Sequence, residues 1–361
     1  LHGVAEYLRE NGRWSVQMAE AARGGNEPSW LRNWDGDGII ARIENRNIAK
    51  ALRRLRIPIV DLSSARLIPK LHWVETDDKA IAELAGDHLT GLGLRNFAYC
   101  GDRNFNWSKW REEHFSRIIG GKRKECHVFN PGRTSDSEET GEIAKWLRKL
   151  PKPIGIFACY DFRGRQVLEA CRKSGIKVPD EVAVIGVDND ELICELSDPP
   201  MSSVIPNTSA TGYKAAELLE SLMSGEKIPA TSHLIGPVGI ASRRSTDILS
   251  IEEPRTAAAV RFIRDNACRG ICVKDVLEAV PHSRRVLESN FRKFLGRTPH
   301  EEIIRVQIAR VKLLLSESGL SLKQIADRTG FDHVEYMSVA FRREVGMPPG
   351  RYRSLNRPKS S

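Results

Sequence analysis

Leu322-Lys-Gln-Ile-Ala-Asp-Arg-Thr329, a break over Gly330 to Asp332, then His333-Val-Glu-Tyr-Met-Ser-Val-Ala-Phe341-Arg-Arg-Glu-Val-Gly346 and Pro349: this stretch decides how the last hundred residues fold. Fifty residues earlier the pattern stands as Val273-Lys-Asp-Val-Leu-Glu-Ala-Val280, a break at Pro281 and His282, and Ser283-Arg-Arg-Val-Leu-Glu-Ser-Asn-Phe291-Arg-Lys-Phe-Leu-Gly296 with Pro299. Phe291 matches Phe341, Gly296 matches Gly346 and Pro299 matches Pro349. The chain therefore repeats a unit of helix, tight turn and second helix.

Each copy predicts a helix-turn-helix. In the first, Val273, Val276, Leu277 and Val280 are core positions of a short helix, and Ser283 is placed to cap the next one. There Val286, Leu287 and Phe291 share an inward face, and Arg284, Arg285, Glu288 and Arg292 the outward one. In the second copy Met337 and Phe341 point inward, and His333, Glu335, Ser338 and Arg342 outward. Glu301 to Glu317 lacks glycine and proline and reads as one connecting helix. A rigid connector holds two recognition helices at the fixed separation that successive major-groove segments of B-DNA require.

Charge supports this reading. The formal net charge is +9 over 361 residues, but from Arg255 onward 21 Lys plus Arg stand against 11 Asp plus Glu, while the preceding residues carry 35 against 36. The whole basic excess lies in the repeat, as phosphate contact requires, and binding should weaken steeply with salt.

These residues resemble the DNA-binding domain of arabinose-regulator (AraC)-type transcription factors over about 100 residues, on Ile325-Ala326, Gly330-Phe331, Phe341-Arg-Arg, Gly346 and Pro349-Gly-Arg-Tyr352-Arg353. The resemblance implies double-stranded DNA as partner. Arg284, Arg285 and Glu288, with His333, Glu335 and Ser338, are the candidates for base edges, since arginine pairs with guanine and glutamate accepts from cytosine. Arg292, Lys293, Arg342 and Arg343 are the candidates for phosphates.

Residues 1–245 alternate short apolar runs with amphipathic stretches, the pattern of parallel α/β layers. Strands are expected at Gly38–Ala41, Ile57–Val60, Phe97–Cys100, Pro153–Ala158, Val182–Val187 and Ser203–Ile205. Helices are expected at Asn45–Leu55, Asp78–Thr90, Trp107–Ile119, Glu138–Lys149, Gly164–Ser174 and Ala210–Met223. Two such series suggest two lobes, with the first crossing between them at Gly101 to Asn106. Asp61, Asp102, Asp161 and Asp188 follow strands, where open parallel sheets build ligand pockets. A carboxylate there accepts from sugar hydroxyls, Arg111 or Arg163 supplies donors, and Trp107 and Trp110 can stack on a sugar ring. The alternative for Asp61 and Asp102 is capping of the following helix.

The order of these segments resembles the periplasmic-binding-protein-like effector domain of the lactose/galactose-repressor family. The resemblance rests on Asp35-Gly-Asp-Gly-Ile-Ile-Ala41, Pro58-Ile-Val-Asp61, Asp87-His-Leu-Thr-Gly-Leu-Gly93, Ser108-Lys-Trp-Arg111, Tyr160-Asp161, Pro179-Asp-Glu-Val-Ala-Val-Ile-Gly-Val-Asp188 and Gly212-Tyr-Lys-Ala-Ala216. It implies sugar-cleft roles for Arg111, Asp161 and Asp188; Arg163 and Asn189 are added from position alone. Tyr160 stands where asparagine is common in that family, which leaves the sugar's identity open. The family has a strand and a ligand-contacting loop before its first helix; this chain starts at Leu1 inside what reads as that helix, so an N-terminally incomplete sequence is expected.

The fusion of both halves resembles the regulators of xylose operons, also on Cys194-Glu-Leu-Ser-Asp-Pro-Pro200, Ser202-Ser-Val-Ile-Pro-Asn207 and Ala241-Ser-Arg-Arg-Ser-Thr-Asp247. The expected architecture is a two-lobed α/β domain with parallel sheets (1–245), a short linker (246–256) and an all-α domain (257–357) with motifs at 273–295 and 322–345. The expected function is a sugar-responsive activator, with a pentose, xylose foremost, closing the cleft and a homodimer presenting DNA so as to recruit RNA polymerase. Flexible tethering would let the lobes reposition the DNA-binding part. Coupling requires that sugar favour one lobe arrangement.

Two other readings stay open: a sugar-processing enzyme, and a sugar-binding module whose basic tail meets another protein. Against an enzyme, the sequence has no phosphate loop, no Gly-x-Ser-x-Gly elbow and no His-Glu-x-x-His, so no catalytic residues are assigned. Seven scattered cysteines without a Cys-x-x-Cys pair read as buried free thiols of a reducing cytoplasm. Neither they nor the histidines suggest a metal or cofactor. With no signal peptide and no spanning apolar run, a soluble cytoplasmic protein without a membrane partner is expected.

Overall fold

A computed structural model describes residues 1–11, 14–18, 31, 34–121, 125–130, 136–229, 232–248, 253–281 and 283–356. Two sheets organise the first two thirds. The smaller is wholly parallel, in the order β1-β2-β3-β9: β1 (Ile39–Ala41), β2 (Ile59–Asp61), β3 (His72–Thr76) and β9 (Ser232–Ile235). The larger comprises β4 (Asn96–Cys100), β5 (Cys126–Phe129), β6 (Ile154–Ala158), β7 (Val182–Val187), β8 (Ser202–Ile205) and β10 (Gly239–Ala241), in the order β10-β8-β7-β6-β4-β5. Among its pairs only β10 with β8 is antiparallel.

β6 and β7 are buried along their full length, because parallel strands covered on both faces have no polar side to present. On one face α3 (Asp78–Gly91) and α4 (Asn106–Gly121) pack Leu89, Phe115 and Ile119 against Phe97, Tyr99 and Phe157. On the other, α5 (Asp136–Leu147) and α6 (Asp161–Lys173) pack Ile143, Leu147, Val167 and Cys171 against Ala98, Ile156 and Val184.

The chain first passes between lobes at Asp77, not at Gly101 to Asn106. β3 belongs to the small sheet and β4 to the large one, so the intervening α3 already covers the large sheet. β3 reads His-Trp-Val-Glu-Thr, too polar to stand out as a strand, and without it the crossing falls one unit late. At the true crossing Asp77 donates its backbone N–H to Ile235 O (2.8 Å) and caps α3 through Ala80 N (3.0 Å). The return crossings follow β8 and β9. α8 (Thr208–Met223) then lies on the small sheet beside α1 (His2–Asn11). At Gly3 a Cβ would lie 1.7 Å from Ser209 O, so the two helices meet backbone to backbone.

The sensor part also holds α2 (Arg46–Leu52) and α7 (Glu191–Leu196), and the helical domain consists of α9 (Pro254–Asn266), α10 (Val273–Ala279), α11 (Arg284–Leu295), α12 (Pro299–Glu317), α13 (Leu322–Thr329), α14 (Val334–Val345) and α15 (Pro349–Asn356) among the described residues. α12 serves two cores: Ile303 packs with Val260, Val276, Leu287 and Phe291, whereas Ile308, Val311 and Leu315 pack with Ile325, Met337 and Phe341. Between them Gln307 donates to Ala267 O (3.0 Å), in the first core, and to Gly330 O (3.1 Å), in the turn of the second motif, joining the two halves of the domain. Gly330 has φ +75°, and a Cβ there would lie 2.5 Å from Gly270 N. The expected linker is narrower than predicted, since Ser245 and Thr246 are buried in the sensor domain and Pro254 already opens α9; residues 249–252 lie outside the described residues. The cysteine expectation needs amending: Cys100, Cys159, Cys171 and Cys194 are buried, Cys126 and Cys268 are half-buried, and Cys272 is exposed at a helix start, where no packing demands its burial. Among the described residues no helix is long and apolar enough to cross a membrane.

Candidate functional site

Parallel pairing brings the carboxyl ends of β4, β6 and β7 to one edge, so Asp161 and Asp188 converge there although 27 residues separate them. Asp161 opens α6 and is buried. Its Oδ1 accepts from Ser203 Oγ (2.6 Å) and its Oδ2 from Asp190 N (2.8 Å). Burial nevertheless lifts its carboxyl to about 7, with the Asp188 charge adding to the rise. Gly186 makes room for it, since a Cβ there would sit 2.3 Å from Asp161 Oδ1.

Beyond β7, Asp188 (φ +114°) and Asn189 (φ +52°) both adopt positive φ, a conformation costly for side-chain-bearing residues and typical of ligand-contacting turns. The turn is held from below: Asn189 N donates to Ser203 Oγ (3.0 Å), and Asn189 Oδ1 accepts from Arg243 Nη1 (3.0 Å). Asp188 itself is solvent-exposed.

Arg111 reaches this edge from α4. Its Nε donates to Asp78 Oδ1 (2.7 Å) and its Nη1 to Cys159 O (2.6 Å). Desolvation alone would lower its pKa, but Asp78 and then Asp188 outweigh it and hold the guanidinium charged. That guanidinium lies 4.9 Å over Trp107. Trp107 in turn stacks on Phe105 at 4.9 Å and meets Tyr160 edge-on at 5.6 Å. An aromatic wall thus stands beside a cation that has the Asp78 and Asp188 carboxylates near it, the chemistry that a polyhydroxylated ring with one apolar face engages.

Two expected members are committed elsewhere. Arg163 is buried with Glu139 (3.0 Å), Gln166 (2.6 Å) and Asp102 (3.5 Å), in a network on the α5 side rather than beside Arg111. Trp110 holds the Arg66 guanidinium over its ring at 5.0 Å, and Arg66 is fixed to Glu75 by two bonds of 3.0 and 3.1 Å. With Asn106 donating to Ser64 O (3.0 Å), this contact joins the lobes. The capping alternative fails for both aspartates: Asp102 accepts from Asn104 N (2.9 Å) and Nδ2 (2.7 Å) in the loop before α4 begins at Asn106, and Asp61 is followed by a strand rather than a helix. Asp61 accepts from Ile43 N and Ser63 N through Oδ1, while its buried Oδ2 carries no hydrogen bond, and burial pushes its carboxyl to about 6. Sequence reading missed Asp78, Ser203, Arg243 and Arg66. The one local signal was a pair of serines, Ser202-Ser203, inside an otherwise buried strand.

On the helical domain, α11 and α14 carry the outward residues as expected. Ser283 caps α11 through Val286 N (3.3 Å), and Gly296 (φ +71°) and Gly346 (φ +79°) end the two helices. Leu287, Phe291, Met337 and Phe341 are buried. Arg284, Arg285, Arg292, Lys293, His333, Glu335, Arg342 and Arg343 are exposed, Glu288 and Ser338 half-buried, and Arg284 pairs with Glu288 at 3.1 Å. Val286 departs from the prediction: it is 43% exposed, because the buried stripe of α11 runs through Leu287, Phe291 and Leu295 and leaves Val286 on its flank.

The two domains touch where α3 ends. Arg264 Nη2 donates to Gly91 O (2.6 Å), so a cation meets the negative end of the helix dipole. Glu302, fully buried, gathers Arg264, Arg297 and Arg305 at 4.0, 3.1 and 2.8 Å.

Family models match in three consecutive pieces: a XylR N-terminal domain over residues 1–79, a periplasmic binding protein-like domain over 86–246 and a helix-turn-helix domain over 277–354. The xylose operon regulatory protein of Escherichia coli (strain K12) is 33% identical over 99% of this chain and 93% of its own length. That of Haemophilus influenzae is 34% identical over 88% and 84%. A solved structure described as the xylose-binding transcription activator xylR matches 99% of this chain and 94% of that one at 32% identity and TM-score 0.61. A CelR–cellobiose complex, 22% identical with TM-score 0.56 over 67% of this chain and 76% of that one, shares the fold alone. With both halves matched in order by full-length relatives, the chain belongs to the family of xylose operon regulatory proteins.

Proposed function

We propose that this protein is a sugar-responsive, DNA-binding transcriptional regulator of xylose genes, with xylose itself as effector and activation as the sign of its response. The observation that carries the reading is the Arg111 guanidinium, held charged by Asp78 and Asp188 and laid over the Trp107 ring at the strand ends, on a chain whose other domain holds the whole basic excess and turns the charged residues of α11 and α14 outward. Asp161 and Asp188 accept sugar hydroxyls, Arg111 donates, Trp107 covers the apolar ring face, and Asn189 holds the turn. Arg163 acts from beneath, fixing the Asp102 loop. On DNA, Arg284, Arg285, Glu288, His333, Glu335 and Ser338 face base edges, and Arg292, Lys293, Arg342 and Arg343 the phosphates. A homodimer working with RNA polymerase in the cytoplasm completes the proposal.

Thermal unfolding of the full chain against a panel of pentoses and hexoses tests it. A ligand bound only by the folded state raises the midpoint, by about 2.7 kcal/mol of stability at a hundredfold excess over Kd. Xylose should stabilise the protein, and Asp188→Ala should abolish the shift while leaving DNA binding intact. Equal loss of both activities would count against separate sites, and sustained turnover of a sugar would return the enzyme reading.

A further inference from the structure

The outward face of α14 is not uniformly polar. Val339 is 67% exposed and Tyr336 47% exposed. Helical spacing sets Glu335, Val339 and Arg342 in one stripe, with Tyr336 and Arg343 beside it. Val339 thus sits at the centre of the face, and the Tyr336 ring is steadied edge-on against Phe331 at 5.9 Å. The repeat offers an internal comparison. On α11 the matching stripe is Arg285, Ser289 and Arg292, with Val286 and Lys293 beside it. The central position is a hydroxyl in one motif and an isopropyl group in the other.

We infer that the two motifs read different chemistry: α14 recognises thymine methyl groups through Val339, flanked by Tyr336, whereas α11 reads by hydrogen bonds from Arg285 and Ser289. The inference rests on the DNA-binding reading and deepens it. A valine side chain has neither donor nor acceptor, so the feature of a major-groove edge that it can engage is the C5 methyl of thymine. Glu335, one turn earlier in the stripe, accepts from the cytosine amino group, so the stripe suits a strand carrying pyrimidines. Arg342 and Arg343 at the end of the helix supply the charge that selects a polyanion as the occupant of this face, in a domain with 21 basic against 11 acidic residues. The two half-sites therefore differ, one guanine-directed and the other thymine-directed, and the protein reads its site in one direction.

The test selects duplexes from a randomised pool with the full chain, then replaces each thymine of the enriched duplex by uracil, which removes only the methyl. One or two replacements under α14 should weaken binding about fourfold each, the value of keeping one methyl group from water. In Val339→Ala the uracil penalty should shrink to less than twofold, while Ser289→Ala should leave it unchanged. Unfolding midpoints equal to wild type show that these exposed substitutions leave the fold intact. Indifference to uracil at every position, or an unaltered penalty in Val339→Ala, would overturn the inference and leave DNA binding standing. No enrichment at all would defeat the DNA-binding reading and this inference with it.

Discussion

His88 offers a measurable link between acidity and the seam between the two domains. It lies in the last turn of α3, its Nε2 within 2.9 Å of Thr246 Oγ1. Desolvation first, then the charges of Arg264 and Arg305, lower its pKa to about 3. The folded protein therefore keeps the ring neutral where the unfolded chain, titrating near 6.5, has taken a proton. Because the unfolded state binds more protons between about 3 and 6.5, stability is fully present above about 6.5 and falls as pH drops through that window. At pH 5.5 the loss is about 1.4 kcal/mol, one unit below the unfolded pKa. His88 is half-buried, so solvent screens part of this shift, but the figure holds for any folded pKa below about 4.5. His88→Gln retains an amide to meet Thr246 and cannot titrate. Denaturant unfolding at pH 7.5 and 5.5 should then show wild type losing about 1.4 kcal/mol more than the variant between the two conditions. Parallel losses would mean that the ring is protonated in the folded state and that the arginine cluster does not govern it.

Gly186→Ala should place a methyl against Asp161 Oδ1, at 2.3 Å from the unshifted atom, and displace the carboxylate. The xylose-induced rise in unfolding midpoint should fall or vanish, with retention of DNA affinity; an unchanged rise would remove Asp161 from the cleft. Arg285→Ala should cost about 1 to 3 kcal/mol at one base pair and relax the preference there, read by competition among single-base variants of the selected duplex. A uniform loss over all sequences would move Arg285 to the phosphate backbone.

How far the sequence could be read depended on the range of the interaction concerned. The α14 prediction succeeded because Met337 and Phe341 are set by helical periodicity, which four residues reveal. Val286 was misjudged because a flank position is apolar in pattern but open in space; only the packing of α9 and α12 against Leu287 and Phe291 decides it. Asp161 and Asp188 were legible as strand-end carboxylates. The partners of Arg163 and Trp110 were not, since Glu139 and Arg66 are brought to them by neighbouring elements and no local spacing encodes that approach.

By itself the sequence determined the repeated helix-turn-helix, the placement of the basic excess, most strands of the large sheet and the carboxylates at their ends. These follow from periodicity, capping and composition, all of which act within a few residues. Tertiary structure alone decided which sheet β3 joins, and hence where the lobes divide. It also decided that Asp78 rather than solvent balances Arg111, and that Arg264 binds the end of α3. Those outcomes turn on which distant groups share a low-dielectric interior, where an unpaired charge or strand edge is costly and a partner from any part of the chain can satisfy it.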